Sequence, residues 1–589
     1  MRQHVRDRIE QALAGLKASG QLKLELMPSF GVDPPKQEGR GDFASNVALL
    51  LAKSEERKAP ELAQLIASAI DTQGLGKVEV AGPFLNFTLD DALVQGVARE
   101  VLRAGDSFGR AGKATGRKLM VEFVSANPTG PLHIGHARGA FVGDALARLA
   151  AAAGHEVTRE FYVNDFGKQI ETLGRTVHKR YRQLFGEQVE LGEGEYPGEY
   201  VVEIARTLKD EDGDRWLACN EAEWLPRCIE IAISENMKRI RATLAQANIA
   251  HDVFTSEAAL HASSQVSAVV ELFRARGVTY EADRARDTEQ RKRNEDTKAA
   301  QFSDRQLGGT FLCTSGQGDE EDRVILRKDG TPVYLTADLA YHKSKFDRGF
   351  DRCIDVWGAD HGGHVPRIRA GLRLLGVDDA RMVFVLVQMM RIVRNGEEVK
   401  LSKRKGEVFE LSDLIEEVGA DACRFIFLLR AANSQFDFDL AAVQAESSEN
   451  PVFYFQYGHA RCSQILKKAA ESGREFVGVN ALSDASLARL TLPEERALLK
   501  KMSLLPDLVA GAAEALEPHR VLYFCQELIA GFHAYYSKYK NTERVLSDDV
   551  ELTQGRLALV AALRQTLRSA FGILGISAPD YMKAPVQDE

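Results

Sequence analysis

Two histidines three residues apart, His133 and His136, lie where the chain could bind phosphate groups. Neutral imidazole donates an N–H hydrogen bond, and the free amides of a helix N-terminus also favour anions. Gly135 between them allows a nucleotide to approach the backbone closely. The motif connects an apolar strand at 119–124 to a helix at 137–153, at the edge where parallel sheets bind ligands. A turn whose histidines only cap the helix is the simpler interpretation, but the flanking strand and helix favour a nucleotide site.

Two lysines three residues apart, Lys400 and Lys403, follow a strand-like segment at 383–387. Ammonium groups on a loop that closes over a nucleotide would stabilise the negative charge that develops as pyrophosphate leaves. A basic turn on its own is usually a solvated surface feature, but this one stands between a strand and a helical region. His133, His136, Lys400 and Lys403 are therefore candidates for phosphate chemistry, and a family resemblance carried by both motifs implies that they are the catalytic residues.

The elements around these motifs indicate a doubly wound α/β fold. A strand at 156–163 follows the helix at 137–153, and strand, helix, strand is the pattern of a nucleotide-binding sheet. Strand-like segments at 323–326, 354–357 and 383–387 are expected to form the second half of the same sheet. No glycine-rich dinucleotide motif, Walker A motif or HExxH motif is present, so a dehydrogenase, a P-loop ATPase and a zinc protease are unsupported.

The residues on both sides of this unit predict two further domains. The first hundred or so residues contain an amphipathic helix with Val5, Ile9, Leu13 and Leu16 at helical spacing, and then a strand pair. From about residue 441 onward nearly all of the sequence has a helical pattern. Within the central unit we expect a solvated, poorly packed acidic insertion at about 180–225 and a charged surface excursion at 281–306.

The stretch from Glu122 to Arg138 resembles class I aminoacyl-tRNA synthetases. Their HIGH signature is spelled out by residues 133–136, and the longer stretch resembles arginyl-tRNA synthetases in particular. The segment Lys400–Arg404 resembles the second motif of the class, with Leu401 where methionine is usual. Both are aliphatic side chains of similar volume, so we expect little effect. The resemblance extends over essentially the whole chain and is weakest in the acidic insertion and at the C-terminus.

The resemblance implies a pocket for L-arginine. A guanidinium group requires carboxylates and planar hydrogen-bond partners. By resemblance, Glu122, Tyr334 and Asp338 hold the guanidinium, while Asn127 and His133 hold the main-chain end. Tyr334 and Asp338 are four residues apart and share one face if the segment is helical.

The resemblance also implies the remaining site residues. The segment Trp357–His361 resembles the part of the family that contacts the nucleotide ribose and the substrate, although some members have glutamine where His361 stands. Tyr162–Asp165 and Gln169 are expected to shape the pocket. His361 joins the arginine-binding set, and the residues expected to bind ATP are Asn127, Gly135, His136, Gly358, Asp360, Lys400 and Lys403.

The function that follows from the resemblance is arginine–tRNA ligation. L-Arginine would react with ATP, accompanied by Mg²⁺, to give arginyl-adenylate and pyrophosphate, and arginine would then pass to the 3′-terminal ribose of tRNA(Arg). The family further suggests that the first step needs bound tRNA. No metal held by the protein is predicted, and we expect a monomer.

The implied fold class is α/β. A class I Rossmann-type parallel-sheet catalytic domain at 113–440, with insertions at about 180–320, would follow a tRNA-contacting N-terminal α/β domain at 1–112. A C-terminal all-α anticodon-binding domain would occupy 441–589. Aromatic and basic residues alternate in two segments of this last domain, which suits stacking on unpaired bases. Most of these aromatics would be core, and the residues expected to reach tRNA are Tyr457, Arg461, Tyr536, Lys538 and Lys540.

Composition and cysteine spacing limit the class of protein and its expected location. The 589 residues carry a net charge of −9, and 27% of them are charged, as in soluble globular proteins. We expect no membrane segment and no signal peptide. The seven cysteines form no CxxC pair, so disulfides and structural zinc are not expected, and a reducing cytoplasm is the predicted location.

Three alternatives remain. One is a class I synthetase for another amino acid. Cysteine enzymes would need zinc-binding cysteines, the valine, leucine and isoleucine enzymes are usually much larger, and two pocket carboxylates would repel a glutamate substrate. A non-catalytic RNA-binding relative should have lost motif histidines or lysines. A small-molecule nucleotidyltransferase would not need the helical C-terminal domain.

Overall fold

The computed structural model describes residues 1–285, 308–445 and 450–583, apart from residues 36, 38, 395, 399–401 and 404–406. For residues 402, 403, 407 and 408 only the backbone is described. The segment expected at 281–306 as a surface excursion therefore lies mostly outside the described residues.

The N-terminal domain packs helices on a small antiparallel sheet. Its elements are α1 (Arg2–Ala18), β1 (Val32–Asp33), β2 (Phe43–Ser45), α2 (Val47–Leu51), α3 (Ala59–Ala69), β3 (Gly76–Ala81), β4 (Phe84–Leu89) and α4 (Asp91–Ala104). The strand order is β1-β2-β4-β3. The sequence periodicity predicts α1 correctly, because Val5, Ile9, Leu13 and Leu16 are all buried on one face.

The catalytic domain is built on a parallel sheet of five strands. These are β5 (Lys118–Glu122), β6 (Glu156–Val163), β7 (Val253–Ser256), β11 (Arg352–Gly358) and β12 (Met382–Val387), in the order β12-β11-β5-β6-β7. The connection from β5 to β6 is α5 (Ile134–Ala152). From β5 the chain builds outward through β6 and β7 and then returns to the other side of β5. The direction in which successive strands are added to the sheet therefore reverses between β5 and β11. A crevice opens at the carboxyl ends of these two strands.

One strand prediction is wrong. The segment at 323–326 belongs to β10 (Arg323–Arg327), which pairs antiparallel with β9 (Gly309–Leu312), and β9 pairs with β8 (Thr279–Ala282). These three strands form a separate sheet. The cause is that a short apolar run does not reveal its partner, and the contribution of β7 to the main sheet was missed for the same reason.

The expectation of a poorly packed insertion is also wrong. The insertion contains α6 (Lys168–Gln183), α7 (Glu199–Asp212) and α8 (Glu221–Gln246). These helices enclose an apolar core of their own that includes Tyr181 and Trp224. The acidic residues that suggested a solvated segment lie on its outer face, while helical spacing buries the apolar ones. Shorter helices return the chain to the sheet: α9 (Glu257–Ala262), α10 (Gln265–Ala275), α11 (Tyr334–Asp347) and α12 (Val365–Leu374).

The described residues on both sides of Lys400 form short strands. They are β13 (Arg391–Arg394), β14 (Glu397–Glu398), β15 (Ser402–Lys403) and β16 (Glu407–Val408), and β17 (Asp437–Asp439) pairs with β13. β15 and β16 form an antiparallel hairpin. Two helices, α13 (Leu411–Val418) and α14 (Ala420–Leu428), follow the hairpin.

The C-terminal domain is helical, as predicted. Its helices are α15 (Leu440–Gln444), α16 (Pro451–Glu471), α17 (Asp484–Ala488), α18 (Pro493–Met502), α19 (Leu505–Ala515), α20 (His519–Tyr539) and α21 (Val550–Leu574). Within the described chain, α21 alone is long and apolar enough to cross a membrane, and 78% of its most apolar window is buried inside the protein. It is the central helix of the bundle.

Candidate active site

A cleft of about 2010 Å³ opens at the carboxyl ends of β5 and β11. It is larger than the roughly 300–1,000 Å³ of an ordinary small-molecule site, so it can hold more than one substrate. Ten of the predicted site residues line it: Glu122, Asn127, His133, Gly135, His136, Tyr334, Asp338, Gly358, Asp360 and His361. The crevice predicted from the sheet topology is thus the place where these residues meet.

The two histidines cap α5 and also face the cleft. Nδ1 of His133 accepts the backbone N–H of Gly135 at 3.0 Å, and Nδ1 of His136 accepts that of His133 at 3.3 Å. Because both Nδ1 atoms are acceptors, the proton of each neutral ring is on Nε2. Burial, with a smaller contribution from His133, lowers the pKa of His136 to about 4. His136 is therefore a neutral donor at pH 7, so the capping and phosphate-binding interpretations are compatible.

Gly135 is required by the position of the His133 ring. A β-carbon at residue 135 would lie 2.8 Å from Cε1 and 2.9 Å from Nδ1 of His133. Any larger residue would displace the ring that caps the helix. The glycine thus serves His133 directly, in addition to leaving space for a nucleotide.

The lysine hairpin is attached to the histidine motif. Ile134 donates its backbone N–H to Phe409 O at 3.1 Å, and Leu411 donates to Leu132 O at 2.8 Å. Phe409 directly follows β16, so the hairpin formed by β15 and β16 is joined to the chain next to the histidine motif. The backbone of Lys403 lies in β15, opposite Glu407. Lys400 lies outside the described residues.

Glu122 belongs to a buried cluster of charges. Asp355 is its neighbour on β11, and Lys345 from α11 donates hydrogen bonds to both carboxylates, at 2.7 Å to each oxygen of Asp355. Lys345 and Asp355 are 0% exposed and Glu122 is 5% exposed. Burial raises the pKa of Glu122. Burial would also raise the pKa of Asp355, but Lys345 and His342 outweigh it and hold that pKa below its ordinary value.

Asp338 and Tyr334 share one face of α11, as predicted. Asp338 is buried and accepts a hydrogen bond from Nε2 of His364 at 2.8 Å, while Tyr334 is 58% exposed at the mouth of the cleft. His361, the histidine named from the sequence, lies at the exposed rim, 3.6 Å from Asp360. The histidine in contact with the pocket carboxylate is therefore His364.

The remaining pocket residues come from β5, β6 and α6. Asn127 donates to Gln169 at 2.8 Å, so the two amides orient each other. The Tyr162 ring packs on Tyr341 with centroids 4.3 Å apart. Its buried hydroxyl lines the cleft, and burial and nearby carboxylates raise its pKa. Tyr162 and Gln169 therefore both line the cleft, and their role in shaping the pocket stays a prediction.

Arg138 connects the histidine helix to the segments that carry the hairpin. It is 2% exposed and donates hydrogen bonds to the carbonyls of Gln388, Ala431 and Ser434 at 2.6–2.9 Å. Gln388 follows β12 directly, and the other two lie between α14 and β17. One buried guanidinium therefore fixes both sides of the hairpin to α5.

The five residues expected to reach tRNA lie on α16, on α20 and, for Lys540, directly after the end of α20. The Arg461 guanidinium stacks 4.4 Å from the Tyr536 ring centre, and Tyr457 packs near His533. Lys538 is paired with Glu494 of α18 at 2.6 Å, whereas Lys540 is exposed. Tyr457, Arg461 and Tyr536 are half-buried on neighbouring helices and form one surface.

Three family models match consecutive parts of the chain. The model described as "tRNA synthetases class I (R), catalytic domain" matches residues 99–433, more than half of the chain. "Arginyl tRNA synthetase N terminal domain" matches residues 3–89, and "DALR anticodon binding domain" matches residues 455–582.

Full-length relatives agree with these matches. A protein named arginine–tRNA ligase from Anaeromyxobacter sp. (strain Fw109-5) is 44% identical, covering 99% of this chain and 98% of its own length. Another with that name, from Syntrophotalea carbinolica, is 42% identical, covering 99% of this chain and 100% of its own. The chain belongs to the arginyl-tRNA synthetase family. The family resemblance and the class I enzyme assignment made from the sequence are confirmed.

Solved structures of the family support the fold. A putative arginyl-tRNA synthetase from Campylobacter jejuni is 32% identical, covers 84% of this chain and 100% of its own, and superposes with a TM-score of 0.71. The Thermus thermophilus arginyl-tRNA synthetase, at 21% identity, covers 99% and 100% with a TM-score of 0.70 and bears on the fold alone. The parallel-sheet catalytic domain and the helical C-terminal domain of this synthetase are confirmed.

Several residues of the site were not found from the sequence of this synthetase. Lys345, Asp355 and His342 form the buried cluster next to Glu122, and Arg138 fixes the hairpin. Lysines and arginines are rarely buried unless paired, so neither residue type by itself points to a buried site. A usable signal was present at Asp355, since a charged residue inside an apolar strand must have a buried partner.

Proposed function

We propose that this synthetase activates L-arginine with ATP in the cleft and transfers it to the 3′-terminal ribose of tRNA(Arg). The observation that carries the proposal is the hydrogen-bonded junction between residues 132–134 and residues 409–411. It holds the histidine turn and the lysine hairpin next to each other, so both motifs can act on one triphosphate.

In the first step an oxygen of the arginine carboxylate attacks the α-phosphorus of ATP. The bond between that phosphorus and the bridging oxygen to the β-phosphate breaks, and pyrophosphate leaves with the electron pair. His133 and His136 donate Nε2–H hydrogen bonds to the phosphates, and Lys400 and Lys403 stabilise the leaving group. No protein nucleophile is required, because positioning and charge stabilisation account for the catalysis.

The pocket orients arginine for this attack. Glu122 and Asp338 receive the guanidinium at the inner end of the cleft, with His364 orienting Asp338 and Tyr334 covering the group from the mouth. Asn127, oriented by Gln169, and His133 hold the main-chain end. At the opposite side Gly358 and Asp360 bind the nucleotide, where a β-carbon on Gly358 would lie 2.3 Å from Oδ1 of Asp360.

In the second step a ribose hydroxyl of the terminal nucleotide of tRNA, the 2′-hydroxyl by class I analogy, attacks the carbonyl carbon of the adenylate. The bond from that carbon to the phosphate oxygen breaks, AMP leaves with the electron pair, and the proton of the ribose hydroxyl is released. The surface formed by Tyr457, Arg461 and Tyr536 would meet the anticodon, where stacking and cation–π contacts suit unpaired bases.

The other partners follow from the same site. In the described part of the chain no group of three His, Cys, Asp or Glu side chains could hold a metal ion. Mg²⁺ is expected to enter with ATP as part of the substrate, since it binds phosphate oxygens with few protein ligands. We propose a monomer as the active unit, and the seven free cysteines fit a reducing cytoplasm.

The test is arginine-dependent ATP–pyrophosphate exchange, with and without tRNA, against all twenty amino acids. We expect exchange with arginine only. His136→Ala should lower the exchange rate by about 30- to 1,000-fold, because one lost transition-state contact costs roughly 2–4 kcal/mol. His4→Ala, at an exposed position of α1, is the control. Exchange with another amino acid would overturn the pocket assignment, and a His136→Ala rate within about threefold of wild type would overturn its role.

A further inference from the structure

The turn between β5 and the histidine motif begins in strained backbone. Val124 and Ser125 have φ angles of 70° and 41°, in the left-handed region that side chains rarely adopt. A β-branched residue such as Val124 is strongly disfavoured there. Such a conformation persists only where the surroundings impose it, so something must hold this turn in place.

The helical insertion holds the turn at two carbonyl groups. The hydroxyl of Tyr200, on α7, donates to Thr129 O at 2.7 Å. The Nδ2 of Asn236, on α8, donates to Pro128 O at 2.9 Å. Asn236 is 0% exposed, so its bond is shielded from water. Two consecutive carbonyls of the turn thus depend on side chains from outside the sheet.

Two glycines shape the contact of Tyr200 with the turn. A β-carbon on Gly130 would lie 3.1 Å from the Tyr200 hydroxyl, and one on Gly198 would lie 2.5 Å from the edge of the ring. The ring is therefore enclosed between the turn and the start of its own helix. This close fit indicates a specific contact, because an incidental surface contact would leave space.

The insertion is rigid enough to impose the position of the turn. Its helices enclose their own apolar core. Arg239 of α8 pairs with Glu203 of α7 at 2.6 Å, one helical turn from Asn236 and Tyr200 respectively. At its other end the turn is fixed by the hydrogen bonds between residues 132–134 and residues 409–411. The turn is therefore located by the insertion on one side and by the exit of the lysine hairpin on the other.

We propose that Tyr200 and Asn236 are positioning residues for adenylate formation: by fixing Pro128 O and Thr129 O, the helical insertion sets the position of the turn that presents His133 and His136 to the phosphates. The inference rests on the proposed function. It gives the insertion a role in the chemical step, although neither side chain is placed on the reacting atoms. A displacement of the histidines by about 1 Å is enough to slow such a step by about a hundredfold.

The test uses two substitutions that remove the hydrogen-bond donors of the two contacts. Tyr200→Phe removes one hydroxyl. Asn236→Leu keeps a side chain of similar shape and also removes Oδ1, which has no hydrogen-bond partner, so stability should change little. Tyr181→Phe is the matched control, because the Tyr181 hydroxyl donates to Gly213 O inside the insertion and away from the turn.

Three quantities are measured on the full-length chain: arginine-dependent exchange, thermal unfolding, and hydrogen exchange of the peptide that contains residues 124–139. We expect Tyr200→Phe and Asn236→Leu to lower kcat about tenfold or more, with KM for ATP and arginine within about threefold. The turn peptide should exchange faster in both variants and not in Tyr181→Phe. The Tm should stay within about 3 °C of wild type.

Wild-type kcat and unchanged turn exchange in both variants would overturn the proposal. A kcat loss that Tyr181→Phe shares, with a lower Tm, would also overturn it, since the effect would then be general to the insertion. A wild-type chain without arginine-dependent exchange would instead refute the proposed function, and the positioning role would be refuted with it.

Discussion

Replacing Lys345 by methionine should strongly destabilise the catalytic domain. The Nζ of Lys345 donates to Glu122 and to both oxygens of Asp355, and none of the three side chains is more than 6% exposed. Methionine fills a similar volume without the charge. It would leave two carboxylates facing each other in a region from which water is excluded, and breaking a buried pair in this way costs about 3–5 kcal/mol.

The structure also sets the size of the effect and its pH dependence. The folded variant avoids two facing negative charges at the lowest cost by keeping Glu122 protonated, because burial already raises the pKa of Glu122 from the ordinary 4.5. At pH 7 that costs about 3 kcal/mol, since each pH unit above the unfolded pKa is worth about 1.4 kcal/mol. The folded variant then binds a proton that the unfolded chain has released. Its stability therefore falls as pH rises from 5 to 7, and the deficit at pH 5 should be only about 1 kcal/mol.

Urea unfolding of the full chain at pH 5 and pH 7 measures both quantities. Lys343→Met, two residues away on α11 and paired with the exposed Asp347, should cost less than about 1 kcal/mol. Adding Glu122→Gln to Lys345→Met removes the titrating carboxyl, so the deficit should shrink at pH 7 and lose its pH dependence. A Lys345→Met deficit below about 1 kcal/mol at pH 7, or one equal at both pH values, would refute the reasoning.

Two further predictions concern a buried histidine and the tRNA surface. Burial lowers the pKa of His251 to about 4, so the folded state excludes a proton that the unfolded chain binds below about pH 6.5, and stability falls as pH decreases. His251→Phe should reduce the loss of stability between pH 7 and pH 5 by about 1–2 kcal/mol, and an unchanged loss in urea unfolding would contradict this. Arg461→Ala should raise KM for tRNA in aminoacylation about five- to tenfold with kcat unchanged, as expected for one lost stacking contact. Lys467→Ala, exposed on the same helix, should leave that KM unaltered, and equal effects of the two variants would contradict the assignment.

The helices and strands that were predicted correctly are those whose apolar residues form a clear local pattern. The helix with Val5 and Leu13, the strands at 119–124 and 156–163, and the helical C-terminus all follow from apolar periodicity, and the structure contains them. The placement of β10 could not be predicted, because its run of three apolar residues does not identify the neighbouring strand. The insertion was misread because its net acidity concealed a helical stripe that includes Val201 and Ile204.

The residues of the candidate site also fall into two groups, those that belong to a local motif and those whose partners are distant in sequence. The histidine turn was found because a helix start, a glycine and two donors occur together within a few residues. Lys345 and Tyr200 were not found, because each acts on atoms far away in sequence: Lys345 on Glu122 and Tyr200 on Thr129. Long-range partners of this kind leave no local pattern in a single sequence.

In the pocket proposed for arginine, the buried lysine would also determine how much positive charge the substrate must bring. Glu122, Asp355 and Asp338 supply three carboxylates around the inner end of the cleft, and Lys345 compensates one of them, while His342 and His364 contribute hydrogen bonds. A guanidinium brings the further positive charge together with paired donors for planar acceptors. A glutamine or glutamate side chain would leave the buried negative charge uncompensated, and such uncompensated burial is costly. Selectivity against those side chains therefore follows from the charge of the pocket before its shape is considered.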